Sequence, residues 1–280
     1  MKYVVITGVS TGIGYGAAKQ FAEAGYHVFG SVRKSEDATR LKAEIGTNFT
    51  PLLFDVTDRP AIEKAAELVK EIVGNNGIVG LINNAGMATS GPLVHQPIEE
   101  IRLQFEVNVI GQINVIQVFF ELLKAGAKPG KIINISSSAG KISAPFFGAY
   151  AGSKHALEGI SNSLRRELQL YGIDVIIVGP GAVKTAIWDK DSTQQLAKKY
   201  AETDYAASLD TFQKYILNQG KNGLSEASLG EFIQEVFEIE KPKTRYSILG
   251  NRFKNWIIPR LLPDRWFDKQ IAKSIGLLRK

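Results

Sequence analysis

Short apolar runs alternate with longer amphipathic stretches along most of this 280-residue chain. Some runs, such as residues 175–178, are apolar at every position, which is typical of strands buried on both faces of a parallel sheet. The stretches between them carry apolar residues at helical spacing. The pattern predicts strands over residues 2–7, 27–32, 50–54, 78–83, 131–136, 173–179 and 244–249. It predicts helices near residues 35–45, 60–73, 97–125, 149–172 and 226–239.

The alternation of strands and helices favours an α/β fold, a single doubly wound Rossmann-like domain with a central parallel sheet of about seven strands. No Pro/Ser-rich linker or internal repeat interrupts the sequence. We therefore expect residues 1–240 to form the main body, and residues 241–280 to add the last strand and a basic extension of the same domain. Ligands of such sheets bind beyond the carboxyl ends of the strands.

Composition excludes several function classes. The chain has no cysteine and three scattered histidines, so we expect neither disulfides nor a metal site. The first strand begins at Lys2 without a signal peptide, and no apolar run approaches the ~20 residues that span a bilayer. These features predict a soluble, cytoplasmic protein.

The positive charge of the chain is concentrated in its tail. Residues 241–280 hold eleven Lys and Arg and two Asp, a net charge of +9, whereas the whole chain has a net charge of +6. A helix starting at Pro263-Asp264 would place Phe267, Ile271, Ile275 and Leu278 on one stripe and Arg265, Lys269 and Lys273 elsewhere. Solvation of this basic face is the favoured interpretation. The alternatives are peripheral membrane contact through residues 252–280, cover of a substrate mouth and packing on another subunit. No nucleic-acid recognition module is present, so we expect no nucleic-acid partner.

Two side chains with acid/base chemistry lie four residues apart, Tyr150 and Lys154. A helix places such residues on one face. A free phenol with a pKa of about 10 is a poor proton donor at neutral pH, and a nearby ammonium group lowers that pKa. The pair is therefore a candidate for proton transfer.

A glycine-rich turn, residues 8–14, follows the first predicted strand and precedes a helix. Glycines let backbone N–H groups approach a pyrophosphate at the positive end of a helix. Taken alone, the pattern fits a tight turn without a ligand equally well.

Together these motifs resemble the classical short-chain dehydrogenase/reductase family, in family order and spacing, over about residues 1–190. The motifs are Thr7 to Gly14, Asp55-Val56, Asn83 to Gly86, Asn108, Ile135 to Ser137, Tyr150 to Lys154, and Pro180-Gly181. The resemblance implies NAD(P)-dependent hydride transfer between CH–OH and C=O groups. Among the branches of this family, the chain most resembles the 17β-hydroxysteroid and retinol dehydrogenases.

The resemblance also implies a set of catalytic roles. Ser137 would bind the carbonyl oxygen, Tyr150 would donate the proton, and Lys154 would tune Tyr150 and hold the nicotinamide ribose. Asn108 would hold a water linking Lys154 to solvent, with bracing of the core as the alternative. The neighbouring Ser136 should point to the opposite face of its strand.

The family's cofactor contacts transfer to matching positions in this sequence. They are Gly8, Ser10, Thr11, Gly12, Ile13, Gly14, Arg33, Asp55, Val56, Asn84, Ala85, Gly86, Tyr150, Lys154, Pro180, Gly181, Val183 and Thr185. Arg33 follows Val32 where NAD-preferring relatives place an acid, so NADP(H) is preferred and NAD(H) is the second candidate. Asp55 would accept a hydrogen bond from adenine or cap the turn before Pro60. The segment at Asn84 is expected to be mostly structural.

In this family residues 186–224 would form a lid over the substrate. The aromatic content of that stretch predicts a small-molecule substrate that is a bulky apolar ketone or secondary alcohol, steroid-, retinoid- or lipid-like, and ordinary packing is the alternative explanation. The other functions left open are 3-oxoacyl thioester reduction, non-catalytic NADP binding and membrane-surface interaction. A homodimer or homotetramer is expected by resemblance.

Overall fold

The computed structural model describes residues 1–184, 190–249 and 261–278. Within these residues seven parallel strands form one sheet in the order β3-β2-β1-β4-β5-β6-β7. The strands are β1 (Lys2–Ile6), β2 (Tyr26–Val32), β3 (Phe49–Leu53), β4 (Gly80–Asn83), β5 (Lys131–Ile135), β6 (Asp174–Pro180) and β7 (Arg245–Ile248). The doubly wound fold is confirmed, and each predicted strand is present with its ends displaced by at most two residues.

Helices cover both faces of the sheet. They are α1 (Gly12–Glu23), α2 (Ser35–Ile45), α3 (Arg59–Val73), α4 (Ile98–Phe105), α5 (Gly111–Lys124), α6 (Gly148–Glu167), α7 (Lys190–Lys199), α8 (Ala206–Lys221), α9 (Glu226–Glu238) and α10 (Asp264–Ile275). The helix predicted near 97–125 is divided by a π-helical turn, Glu106–Ile110. The stretch expected to form a lid contains α7 and α8, which the apolar pattern did not resolve.

Local chemistry explains where α3 begins and ends. The Asp58 carboxylate accepts a hydrogen bond from the backbone N–H of Ala61 at 3.1 Å, which caps the first turn. Pro60 lies in that turn, where its missing N–H is not needed. Gly74 follows the last turn with a φ of 55°, which suits glycine better than other residues.

The core consists of one apolar layer on each face of the sheet. On one face Phe21 of α1 packs with Leu229 and Phe237 of α9. On the other face Ile62 of α3 packs with Phe119 of α5. Strand order reverses between β1 and β4, so the loops after these two strands diverge and leave a crevice at the carboxyl edge.

One described helical stretch, Ile98–Lys124, is long and apolar enough to cross a membrane by length and composition alone. The sequence analysis expected no such stretch. Half of its most apolar window is buried inside the protein. Val115, Phe119 and Leu123 fill the core against the sheet, which accounts for its apolar character.

The tail helix α10 begins at Asp264, as predicted. Phe267 and Ile271 are partly buried and Ile275 is buried, which confirms that part of the predicted stripe. Its extension to Leu278 is wrong, because the helix ends at Ile275, Gly276 follows with a φ of 75°, and Leu278 remains 45% exposed. The basic residues at 265, 269 and 273 are exposed.

Candidate active site

The glycine-rich turn between β1 and α1 approaches the neighbouring chain so closely that side chains would collide. Gly8 has a φ of 69°, and a Cβ there would lie 2.9 Å from the Cα of Ala85. A Cβ on Gly14 would lie 2.3 Å from the carbonyl oxygen of Gly8. The turn therefore presents bare backbone at the start of α1, an arrangement that fits a pyrophosphate.

The segment after β4 braces this turn. Thr7 Oγ1 accepts hydrogen bonds from the backbone N–H groups of Asn84 and Ala85, both at 2.9 Å. Asn84 Nδ2 donates to the carbonyl oxygens of Thr7 and Gly8 at 2.9 and 3.0 Å. Asn84 thus holds the turn in shape, in agreement with the structural role expected for its segment.

Arg33 and Asp55 meet at the carboxyl ends of β2 and β3. An Arg33 nitrogen lies 3.7 Å from Asp55 Oδ2, and the Arg33 side chain is 78% exposed. Asp55 Oδ1 accepts hydrogen bonds from the backbone N–H and the hydroxyl of Thr57. The turn-capping role of Asp55 is therefore present. Val56 next to it buries its side chain in the core.

Sequence reasoning missed Arg40, which reaches the glycine-rich turn from α2. It donates a hydrogen bond to the carbonyl oxygen of Ser10 at 2.7 Å and pairs with Asp37 and Glu44 on its own helix. The i+3 and i+4 spacing of these acids was visible in the sequence, but the contact with Ser10 was not.

The other residues of the turn that were assigned to the cofactor site include Thr11, Gly12 and Ile13. Thr11 precedes α1 in an extended conformation and makes no side-chain cap. Ile13 packs against the core on the α1 face. Gly12 has a φ of 66°.

Ser137, Tyr150 and Lys154 come together beyond the end of β5. The Ser137 side chain lies near enough to the Tyr150 hydroxyl to lower the pKa of that group. Ser137 Oγ also accepts a hydrogen bond from the backbone N–H of Ala139 at 3.1 Å. Lys154 Nζ lies 5.9 Å from the centre of the Tyr150 ring and donates to the carbonyl oxygen of Ile135 at 2.9 Å. One turn of α6 therefore presents a phenol and a buried ammonium beside a serine hydroxyl.

Asn108 lies in the π-helical turn and is fully buried. Its Oδ1 accepts from the backbone N–H of Met87 at 2.9 Å, and its Nδ2 donates to the carbonyl oxygen of Met87 at 2.9 Å and to Ser153 Oγ at 3.0 Å. The side chain therefore braces the loop after β4 against α6. A Cβ on Gly86 would lie 3.2 Å from Asn108 Oδ1 and 3.7 Å from Lys154 Nζ, so all three meet at one place.

The acid/base properties differ from the sequence expectation. Desolvation raises the pKa of Tyr150, and the hydrogen bond with Ser137 offsets only part of that rise. Desolvation also lowers the pKa of Lys154 to about 8, against the opposing charge of Glu158. The expected lowering of the Tyr150 pKa is therefore wrong for the protein alone, because burial of the hydroxyl is the largest effect on that pKa and raises it.

A buried carboxylate that the motifs did not reveal, Glu158, lies one helical turn beyond Lys154. Ser136 Oγ donates to it at 2.9 Å, Lys141 Nζ lies at 2.8 Å, and Arg245 contacts both of its oxygens at 2.9–3.1 Å. Arg245 Nη2 also donates to the carbonyl oxygen of Ser137 at 3.3 Å. This network joins β5, α6 and β7 behind the reacting groups.

Two sequence signals bear on Glu158. The first was its i+4 spacing from Lys154, which places both on one face of α6. The second was the expectation that Ser136 points away from its neighbour, and Ser136 does contact Glu158 rather than Tyr150.

The segment after β6 lies at the same edge of the sheet. Pro180 ends β6, and the backbone N–H of Gly181 donates to the carbonyl oxygen of Ile248 at 2.8 Å. Val183 is buried and forms a parallel bridge with Leu224. Thr185, and with it Ile187 and Trp188, lies outside the described residues.

Comparison with known proteins identifies this arrangement. The family model described as short chain dehydrogenase matches residues 2–196. This chain belongs to the short-chain dehydrogenase family. It is accordingly an oxidoreductase that uses a nicotinamide cofactor, and the bare backbone at Gly8 and Gly14 fits such a dinucleotide.

Individual relatives of this short-chain dehydrogenase cover nearly the whole chain. An NADPH-dependent 3-dehydrocapnine reductase from Ornithobacterium rhinotracheale is 41% identical over 99% of both chains. Retinol dehydrogenase 16 from Mus musculus is 31% identical over 88% of this chain and 80% of its own, which confirms the expected likeness to the retinol dehydrogenase branch. A solved short-chain dehydrogenase from Streptomyces avermitilis aligns with a TM-score of 0.75 at 27% identity, covering 100% of this chain and 98% of that one.

Proposed function

We propose that this short-chain dehydrogenase uses NADPH to reduce a ketone on a bulky apolar molecule. The observation that carries the proposal is the meeting of Ser137, Tyr150 and Lys154 beside an apolar cluster. Tyr150 packs against that cluster, which contains Phe146, Phe147 and Phe212. The NADPH-dependent reductase at 41% identity supports the same chemistry.

The chain's own residues carry the proton transfer. Ser137 donates a hydrogen bond to the carbonyl oxygen, and Tyr150 delivers its hydroxyl proton to that oxygen as negative charge develops there. A raised pKa keeps Tyr150 protonated at neutral pH, which suits a proton donor in the reducing direction. Lys154 stabilises the negative charge left on Tyr150 and would hold the ribose of the cofactor. When bound, the nicotinamide supplies the hydride.

Asn108 acts through its neighbours. Its hydrogen bonds to Met87 and Ser153 fix the loop after β4 against the catalytic turn of α6. We propose that it maintains the position of Lys154, and a bound water between them is compatible with that role.

The preference for NADPH rests on the end of β2. Arg33 supplies a guanidinium where a 2′-phosphate would lie, and its one acidic contact among the described residues is an exposed pair with Asp55 at 3.7 Å. The hydroxyl groups of Ser10 and Thr11 would add contacts to the dinucleotide, and Ile13 and Val56 would contribute backbone contacts around it.

A substitution of the proton donor tests the mechanism. Tyr150→Phe should lower kcat by roughly 100- to 10,000-fold while NADPH binding, followed by fluorescence, remains within about twofold of wild type. Tyr171→Phe is the matched control, because Tyr171 lies in the turn after α6, away from Lys154. Substantial turnover by the Tyr150 variant would remove Tyr150 from its assigned role.

A substrate panel tests the chemistry. Oxidation of NADPH and of NADH should be compared with 3-dehydrocapnine, steroid and retinoid carbonyl compounds, aliphatic ketones and acetoacetyl thioesters. We expect the apolar ketones to be reduced with NADPH. Preference for the thioesters would instead establish a 3-oxoacyl thioester reductase, and a chain that bound NADPH but reduced none of them would be a binding protein.

The assembly and location of the chain remain predictions. We propose a homodimer or homotetramer in the cytoplasm, as expected by resemblance. Light scattering on the purified protein measures the subunit number, and a monomer at micromolar concentration would contradict the proposal.

A further inference from the structure

A groove of about 570 Å³ lies between helix α10 and two loops near the catalytic turn of α6. Its walls come from residues 92–94 after β4, residues 143–148 before Tyr150, and one face of α10 with the turn that follows it. The lining side chains and backbone belong to Pro92, Leu93, Val94, Ser143, Ala144, Pro145, Phe146, Gly148, Tyr205, Phe267, Asp268, Ile271, Ala272 and Leu277. The volume is within the range of small-molecule sites in proteins.

Both walls of this groove are mainly apolar, with Asp268 on the α10 wall and Ser143 on the opposite loop as polar exceptions. Phe267, Ile271 and Ala272 form the α10 wall. Leu93 and Val94 form the opposite rim and are 55% and 75% exposed, so the groove opens to solvent along that side. Two adjacent apolar residues with this exposure, facing another apolar wall, mark a binding surface better than scattered surface residues do.

The groove and the proton donor share one apolar cluster. Phe146, Tyr205 and Ile271 line the groove and belong to the cluster against which Tyr150 packs. The Phe147 ring of the same cluster lies 5.9 Å from the Tyr150 ring. A ligand in the groove would therefore contact the side chains that also surround Tyr150.

Phe146 at the floor of the groove has a strained backbone. Its φ is 64°, a value that bulky residues rarely adopt, and it is the one non-glycine residue with positive φ among the described residues. The strain is held by a hydrogen bond from the backbone N–H of Gly91 to the Phe146 carbonyl at 2.8 Å, and by ring contacts with Tyr205 and Phe212. Strain of this kind clusters at ligand sites.

We propose that this groove binds the unbranched alkyl chain of an amphiphilic ketone whose carbonyl lies at Tyr150. The inference rests on the proposed function and specifies its substrate class. An alkyl chain fits because the groove is mainly apolar on both walls and open along one side, so that chains of different length can extend from the same reacting carbon. Two other occupants are possible for such a groove, a rigid ring system and a second copy of the chain, and the experiment must distinguish both from an alkyl chain.

The test is a series of straight-chain ketones of increasing length, each assayed for kcat/KM with NADPH. Burial of each added methylene should raise kcat/KM roughly fourfold until the groove is filled. Ala272→Trp places an indole ring in the groove and should lower the ratio of kcat/KM for the longest ketone to that for the shortest by at least tenfold. Ala66→Trp is the matched control, because Ala66 lines a charged depression between α3 and α5 and should retain the wild-type ratio.

A second variant tests the groove in case Ala272→Trp does not fold. Val94 is 75% exposed, so Val94→Glu should fold normally while placing a carboxylate at the rim. We expect it to lower the same ratio by at least tenfold, and circular dichroism checks the fold of both variants.

The outcomes separate this inference from the proposed function. Turnover of short ketones with no rise along the series, or with the same rise in both groove variants, would overturn the alkyl-chain site and leave ketone reduction intact. Variants that impair a steroid ketone while preserving the chain-length ratio would assign the groove to rings. A ratio that depends on protein concentration would assign it to a second copy. Absence of turnover with every ketone would overturn the proposed function and this inference together.

Discussion

Removal of the Arg245 guanidinium should destabilise the whole protein, because it leaves a carboxylate buried without its main partner. The Glu158 side chain is 2% exposed and that of Arg245 is 16% exposed. We choose Arg245→Met, which preserves most of the volume of the side chain and removes the charge. The Lys141 contact at 2.8 Å and the Ser136 hydrogen bond to Glu158 remain.

The expected loss follows from the burial of this pair. Breaking a buried ion pair from one side costs about 3–5 kcal/mol. Lys141 still contacts Glu158 and is partly exposed, so the loss should lie near the lower limit, about 3 kcal/mol. Replacing both partners in Arg245→Met/Glu158→Gln removes the orphaned charge and should recover about 1–2 kcal/mol of the loss.

Urea unfolding at pH 7 measures both values, and the double-mutant cycle isolates the pairing. Desolvation raises the pKa of Glu158, but hydrogen bonds from Arg245 and Lys141 and the charge of Arg245 outweigh it, so that the pKa lies below its usual 4.5. Because the folded pKa is lowered, the stabilisation is complete well above pH 4.5 and is lost as the pH falls through the folded value. The gap between wild type and Arg245→Met should therefore narrow in acid.

Two results would refute this reasoning. One is a loss below about 1 kcal/mol in Arg245→Met, which is the range of an exposed pair. The other is a double variant that is no more stable than the single one, which would show that the orphaned carboxylate is not the cause.

Three further predictions concern the site. The kcat/KM for reduction should fall above about pH 8, because Lys154 loses its proton there. The carboxylate of Glu158 raises the Lys154 pKa against desolvation, so Glu158→Gln should shift this decline in kcat/KM to lower pH. An unchanged pH profile would show that Glu158 does not act on Lys154. Arg33→Ser should raise the KM for NADPH by about 10- to 100-fold and leave the KM for NADH nearly unchanged, since charge-assisted hydrogen bonds are worth about 1.5–3 kcal/mol; equal effects on both cofactors would count against a 2′-phosphate contact. Phe146→Gly should be about 1 kcal/mol more stable than Phe146→Ala by thermal unfolding, the reverse of the order in ordinary backbone, because φ is 64° there; the usual order would show that the strain relaxes.

The sequence located the elements and motifs well where local rules decide them. In a parallel sheet every strand ends at the same edge, so the glycine-rich turn, Asn84, Ser137 and Pro180 could be placed there from strand positions alone. The choice of Ser137 followed from the family motif and its interval to Tyr150, and strand alternation argued against Ser136. The structure places Ser136 against Glu158 and Ser137 beside Tyr150.

Long-range packing lay beyond the reach of these rules. Arg245 is 87 residues from Glu158 in sequence, and no local sequence pattern predicts that β7 brings the two side chains into contact. The Tyr150 pKa depends on how completely the protein encloses the hydroxyl, which a pairwise rule for a neighbouring lysine does not include. The π-helical turn at Asn108 and the positive φ of Phe146 also arise from tertiary contacts rather than local preference.

The hydrogen bond from Arg245 to the Ser137 carbonyl oxygen limits how segments of this protein can be exchanged with those of relatives. By charge alone, the last forty residues resemble a separate segment. Their strand β7 nevertheless supplies Arg245, which pairs with Glu158 on α6, the helix that carries Tyr150. A chimera that took its tail from a relative with a neutral residue at 245 would leave the buried Glu158 carboxylate without its main partner and with Lys141 as its remaining cation. Tail and catalytic helix must therefore be exchanged as a pair.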